Sequence, residues 1–412
     1  MTPTAELPIR AIEPAEFDAF SAATERAFGG HGRDDEREID RRVFEYDRTL
    51  AAYDGDSIVG TAGAFSLEMT VPGGPAPVAG VTIVGVLPTH RRRGLLTRLM
   101  TRQLDDLHEQ DREPVAALWA SEPGIYGRFG YGLASRHLSV TVHRPWSGFL
   151  PSAPADTGRL RLDEPAKVRA DLDRVFDAVR RIRPGHFARS AGFWDMRLFD
   201  PERRRAGAGP LTCVVHEGPE GVDGYALYAT KQNWAEGGPE GTVSVREVAA
   251  LDPVGHAALW RFLCDIDLMA KVTGWTATDD PLLHLLSDPR RVTPVLKDNL
   301  WVRLVAVERA LAARSYATPI DVVFAVSDSR CPWNDGRWRL AGDANGATCD
   351  RTSDAADLTL TSTDLGAAYL GGTRLATLAA AGRVQELRPG ALESASVAFA
   401  SAGRAPYCPQ IF

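Results

Sequence analysis

An apolar strand read over Val78 to Leu87 stops at Pro88. After Thr89, His90, three arginines (Arg91, Arg92, Arg93) and Gly94, it gives way to a helix reaching about Gln110. Leu95, Leu96, Leu99, Met100 and Leu104 recur along that helix at the spacing of one buried face. A strand feeding an amphipathic helix through a short loop is the unit step of an α/β architecture. The step recurs: the strand Thr242 to Leu251 passes through Asp252-Pro253 into a helix read over His256 to Lys271. The chain is therefore expected to contain two related sheets with flanking helices, a degenerate internal repeat.

Other elements fall around these two steps. Leu7 to Ala11 reads as a short strand, and Pro14 to Phe28 and Asp34 to Phe44 as helices. Thr49 to Tyr53 and Ile58 to Met69 read as a hairpin about Asp54-Gly55. Strands follow at Val115 to Ala120 and Ser135 to His143, and the stretch Pro145 to Gly158, with Pro151 and Pro154, reads as a linker. Helices at Lys167 to Ile182 and Ala191 to Leu198, then strands at Leu211 to His216 and Gly224 to Thr230, restart the pattern. From about Leu300 strands come first and Ala-rich helices after, an α+β order unlike the earlier alternation. With 412 residues and roughly 150 per domain, three domains are expected: 1–150, 151–298 and 299–412.

Composition excludes several classes. A net charge of -7 argues against a nucleic-acid coat, which needs a basic surface, and suits a cationic substrate. Five scattered cysteines without a CxxC pair suggest neither a disulfide framework nor a metal site. No leader and no apolar run of membrane-spanning length are read, so a reduced, cytoplasmic chain without membrane or nucleic-acid partners is expected.

The loop at 88–96 carries the sharpest signal. The free N–H groups and positive dipole end of a helix make an anion site, and Gly94 lets an anion approach the backbone. Three arginines at that end of a helix are electrostatically awkward unless an anion is bound. The bland reading is a solvated basic turn. At the repeated step Asp252 replaces the arginines and would repel phosphate.

These residues carry a resemblance. Arg91-x-x-Gly94 between an apolar strand and a helix resembles the pyrophosphate loop of the GCN5-related N-acetyltransferase superfamily, which binds acetyl-CoA. The runs Pro88–Leu96 and Ala120–Gly132 are similar to the narrower enhanced-intracellular-survival (Eis) family of aminoglycoside acetyltransferases. Leu96 departs from the wider superfamily, where Gly or Ala is usual. The resemblance implies an α/β (α+β) chain: tandem acetyltransferase folds with mixed central sheets, then a sterol-carrier-like α+β domain. It implies acetyl-CoA as co-substrate and a small-molecule amine substrate, and because the repeated step carries Asp252 in place of the arginines, one acetyl-CoA site per chain is expected. No metal is expected, and a homo-oligomer, by resemblance a hexamer, is. The implied cofactor contacts are Val84, Gly85 and Val86 on the strand, Arg91, Arg92, Arg93 and Gly94 in the loop, Leu95, Leu96 and Thr97 on the first helical turn, and Ser121 and Glu122.

Acetyl transfer to an amine needs an acid for the departing thiolate and an acceptor for the ammonium proton. Tyr126, in a Gly-punctuated turn after the strand Val115 to Ala120, is the candidate acid. A phenol with a pKa near ~10 is protonated at working pH, and the resemblance places Tyr126 at the family's catalytic tyrosine. Without it, a buried packing tyrosine is the ordinary reading, as it is for Tyr131. No His or Glu of the first domain has a compelling pattern for the base. The resemblance points instead to the α-carboxylate of Phe412, on a tail (Arg404 to Phe412) whose prolines forbid a helix. Ile83 and Trp119 are candidate substrate-wall residues. The acidic run Asp34, Asp35, Glu36 and Glu38 reads as a solvated helix face. A non-catalytic acyl-CoA or lipid-binding protein using the third domain is the alternative.

Overall fold

A computed structural model describes residues 7–401 and 403–412. They form two compact units: residues 7–135, 300–401 and 411–412 in one, and residues 136–299 and 403–410 in the other.

The first unit is built on a seven-stranded mixed sheet. Its strands are β1 (Ile9–Arg10), β2 (Thr49–Asp54), β3 (Ser57–Val71), β4 (Gly74–Val86), β5 (Val115–Trp119) and β6 (Gly132–Leu133), with the late strand Leu300–Leu304 inserted between β5 and β6. The hairpin at Asp54 forms as expected, Gly55 supplying φ 57°. Only β4 and β5 run parallel; the other pairings are antiparallel. Helix α1 (Phe17–Ala27) buries Phe20 and Ala23 on one face with Ala51, Tyr53 and Ile58. Helix α2 (Asp34–Arg41) buries no side chain. Helix α3 (Leu95–Gln110) buries Leu95, Leu99, Met100, Leu104 and Leu107 on the opposite face, against Val59, Ala79, Val81 and Leu118. A short helix α4 (Pro123–Tyr126) follows β5. The pair Arg48–Glu113, both side chains under 5% exposed at 2.5 Å, ties the start of β2 to the segment leading into β5. Removing one partner would leave a buried charge, at a cost of about 3–5 kcal/mol.

Also in this unit is a five-stranded sheet over residues 320–386 with the helices Val307–Ala312, Ser362–Ala368, Leu375–Ala380 and Ala391–Phe399. Its helix Ser362–Ala368 lies so close to β6 that a Cβ on Gly132 would meet the Thr363 carbonyl at 2.0 Å. Arg303 on the inserted strand is fully buried and pairs with Asp328 at 2.5 Å.

The second unit repeats the first sheet's plan. Its order runs Thr293–Asp298, Arg136–His143, Met269–Ala277, Gly241–Ala250, Gly221–Lys231, Thr212–Gly218, Arg159–Asp163. Met269–Ala277 and Gly241–Ala250 are its one parallel pair, as β4 and β5 are in the first. Arg136–His143 was expected to close the first domain. It lies instead in the second sheet, pairing with Met269–Ala277 and Thr293–Asp298. Reciprocally, Leu300–Leu304 crosses into the first sheet. The helix expected to run to Lys271 ends at Asp265, and the strand beginning at Met269 follows a left-handed Leu268 (φ 64°).

Candidate active site

The parallel pairing of β4 with β5 covers only Val78–Gly80 against Val115–Ala117. Beyond Gly80 the strands part, and Val81–Val86 pair with β3 alone. A bulge accompanies the parting: Thr82 and Gly85 face Gly63 and Thr61, so β4 carries one residue more than β3 across that step. Ile83 takes the strain at φ 49°, an outlier for a β-branched residue. The buried Thr61 hydroxyl donates to the Ile83 carbonyl at 2.9 Å. Nothing in the sequence pattern of Thr61 or Ile83 signals this. The result is a strand edge at Val84, Gly85 and Val86 that faces away from β3, with backbone polar groups suited to an extended ligand chain.

Because β4 and β5 are parallel, the loops leaving their C-terminal ends open at the same edge of the sheet, where α/β folds bind ligands. The β4 loop holds Arg92 (φ 62°) and Gly94 (φ 78°) in the left-handed region with Arg93 between them. Alternating handedness of this kind gathers successive N–H groups into an anion-binding concavity. No side chain caps the helix that follows, and its first intrahelical bond is Arg98 N–H to Gly94 O, at 3.1 Å. The N–H groups of Leu95, Leu96 and Thr97 thus head the open, positive end of a 16-residue helix. A phosphate group fits this donor set. Arg91 differs from expectation: its guanidinium donates to the carbonyls of Val86 (3.1 Å) and Ala27 (2.9 Å). It braces the loop, leaving the exposed Arg92 and Arg93 as the cations at the open side.

At the repeated step the same position is closed. The Asp252 carboxylate accepts from Gly255 N–H at 2.8 Å and caps the helix Pro253–Asp265.

The β5 loop brings Ser121 and Glu122, both exposed, before Tyr126 at the end of α4. Tyr126 is buried in the cluster that holds Val84, Leu95 and Leu118, its ring edge-on to Tyr131 at 6.1 Å. Burial pushes its phenol pKa up; a hydrogen bond with Ser121 pulls the other way and the Glu122 charge adds to the rise. Tyr131 is wholly buried and packs in the same cluster.

Gly80, where the strands begin to part, points its missing side chain to the sheet face opposite α3. A Cβ there would meet the Phe412 ring at 3.2 Å. The terminal residue therefore lies at the parting of β4 and β5. Strand alternation puts Trp119 on that face too, two residues beyond Ala117, the partner of Gly80. Ile83 leans over Gly63 and packs with the α1-side cluster. The expected wall residues and the tail terminus thus share one sheet face, whereas Tyr126 belongs to the α3-side cluster. The acidic run is a helix surface, where Arg37 pairs with Glu25 at 3.0 Å. His90 contacts Thr89 and Asp54 at the surface.

Comparison with known proteins agrees with this layout. Residues 8–134 and 185–304 each match an acetyltransferase (GNAT) domain, and residues 307–409 match a sterol carrier protein domain. An N-acetyltransferase of Streptomyces avermitilis is 49% identical, covering 98% of this chain and 99% of its own. N-acetyltransferase Eis of Mycobacterium tuberculosis is 37% identical over 84% of each chain. The crystal structure of Eis1 from Mycobacterium abscessus superposes with a TM-score of 0.85 at 33% identity, covering 98% of this chain and 100% of the other. A GCN5-related N-acetyltransferase from Anabaena variabilis shares the fold, with a TM-score of 0.85 at 19% identity over 99% and 100% of the two chains.

Proposed function

The chain belongs to the Eis family of GCN5-related N-acetyltransferases and is an acetyl-CoA-dependent N-acetyltransferase, and from that premise we propose that it acetylates amino groups of polycationic small molecules, aminoglycosides or polyamine-like amines. The observation that carries the reading is the uncapped N-terminus of α3, behind the Arg92–Gly94 concavity, at the mouth of the parted β4 and β5.

Acetyl-CoA supplies an activated acyl group on a thiol leaving group. In this reading the N–H groups of Arg92 to Thr97, with the Arg92 and Arg93 side chains, hold its pyrophosphate. The edge of β4 at Val84–Val86 holds its extended arm by backbone hydrogen bonds, with Ser121 and Glu122 on the opposite lip. Tyr126 Oη–H gives its proton to the departing sulfur, and its raised pKa keeps the phenol protonated throughout the working range. The Phe412 α-carboxylate takes the proton of the acceptor ammonium, directly or through a water. Its ordinary pKa, about 3.5, keeps it ionised at neutral pH. Ile83 and Trp119 form the apolar wall of the acceptor side. The second acetyltransferase-like fold binds no acetyl-CoA, because Asp252 already occupies the helix end a phosphate would need. The assembly proposed is a hexamer.

Family membership disfavours the purely binding alternative. Thiol release from acetyl-CoA, measured across aminoglycosides, spermidine and a lysine peptide, tests the acceptor class. Turnover with polycationic amines is expected; no turnover above hydrolysis with any of them refutes it.

A further inference from the structure

The parallel strands of the second fold part beyond Ser244 and Thr273 as those of the first do, and the chain's own tail lines the space at their ends. A cavity of about 350 Å³ in the second unit is lined by Ala249, Ala250 and Asp252 at the end of one parallel strand and by Thr276 and Ala277 at the end of the other. Tyr407 and Pro409 of the tail line the same cavity. We propose that the second acetyltransferase-like fold has exchanged cofactor binding for a holding role: it grips residues 405–410 and thereby positions the Phe412 carboxylate. This rests on the reading of Phe412 as the proton acceptor.

The grip is a succession of hydrogen bonds to the tail backbone. Ala405 is held at both ends, its carbonyl by Arg183 (2.7 Å) and its N–H by Asp279 (2.7 Å), and these two side chains pair with one another at 2.6 Å. Tyr407 N–H donates to Pro184 O at 2.9 Å. The next residue of that turn, Gly185, has φ 89°, and a Cβ on it would stand 3.0 Å from the Tyr407 carbonyl oxygen. Only glycine both adopts this conformation without strain and lets the tail pass. Asn299, fully buried, makes a two-point contact with Cys408, its amide donating to the carbonyl at 3.0 Å and accepting from the N–H at 2.9 Å. Arg189 donates to the Gln410 side chain at 2.6 Å. It is itself fixed by a bidentate pair with Glu247 at 2.9 and 2.5 Å, to which Tyr225 adds a hydrogen bond at 2.6 Å. Fraying is the default for a terminus; the buried Asn299, Arg189, Glu247 and Gln410 put the last anchor two residues before the carboxylate.

Asn299, Gly185 and Arg189 are thus positioning residues. All five cysteines are buried, which gives a readout independent of turnover. In native protein no thiol should react with a disulfide reagent. In Gly185→Ala and, separately, Asn299→Ala, Cys408 alone should become reactive while Cys213, Cys264, Cys331 and Cys349 stay protected and report an intact fold. Turnover should fall about 10- to 100-fold, as expected for a misplaced reacting group, with the KM for acetyl-CoA unchanged. A folded Gly185→Ala protein with Cys408 still protected overturns the grip. Cys408 released with turnover intact overturns the positioning role. Extension of the wild-type chain by Gly-Ser-Gly beyond Phe412, which turns its α-carboxylate into a peptide amide, separates the two ideas: unchanged turnover there refutes the carboxylate reading itself, while Cys408 labelling still judges the grip.

Discussion

Removing one oxygen from Tyr126 isolates the proposed acid from everything else the residue does. In Tyr126→Phe the ring keeps its place among Val84, Leu95 and Leu118 and its edge contact with Tyr131, so no cavity forms. The hydroxyl loses a hydrogen bond with Ser121. Ser121 is exposed and regains that bond with water, so the stability change should stay below about 1 kcal/mol. The catalytic effect should be far larger. Loss of a positioned general acid costs about 10²- to 10⁴-fold in rate, or roughly 3–5.5 kcal/mol of barrier. The phosphate loop is untouched, so the KM for acetyl-CoA should not move. Steady-state thiol release with a saturating amine, alongside a denaturation curve, measures both quantities. Because burial raises the phenol pKa, the wild-type kcat should show no alkaline fall attributable to this group below pH about 10. A stable variant with kcat within about five-fold of wild type would refute the assignment and return Tyr126 to a packing role.

Gly94→Ala probes the loop. A Cβ at Gly94 meets nothing within 4 Å, so its effect is conformational: φ 78° costs a non-glycine residue about 1–2 kcal/mol. Acetyl-CoA affinity, read by calorimetry, should fall roughly 5- to 30-fold, and unchanged affinity would show that the left-handed turn is not part of the site. A pH effect should arise in the second unit. Burial holds the His186 pKa well below 6.5, with the Arg183 and Arg189 charges adding to the depression. The unfolded chain takes up this proton below pH about 6.5 while the folded chain does not, so folding stability should fall with acidification by up to about 1.4 kcal/mol per pH unit for this group. Urea denaturation between pH 5 and 7 measures the slope. In His186→Phe, which keeps a ring against Phe176, the slope should drop by one proton, and an unchanged slope would contradict the assignment.

The three-part order of the chain was legible because one strand-to-helix step recurs and then gives way to strands followed by Ala-rich helices, and the Arg91–Gly94 loop because its residues conflict with an ordinary helix start. Partner choice among strands was not legible. Alternation shows that Arg136–His143 has a buried face, but only long-range pairing says which sheet buries it, and a strand following β6 would ordinarily stay with its neighbours. The bulge at Ile83 was invisible for a related reason: β-branched residues avoid positive φ, and the Thr61 hydroxyl that satisfies the strained carbonyl is set by register. Arg91 stands in the loop by sequence, but that its guanidinium serves the Val86 and Ala27 carbonyls depends on how the loop folds back over α1. The anchors of the tail escaped notice because Gly185 and Asn299 lie more than a hundred residues from the terminus they hold.

The central claim is that the first fold alone carries an acetyl-CoA site. Calorimetric titration of the intact chain with acetyl-CoA tests it most directly. One equivalent bound per chain, weakened in the Gly94→Ala variant and unaffected by Asp252→Asn, is the predicted result. Two equivalents, or one that survives Gly94→Ala and disappears on substitution of Asp252, would contradict it.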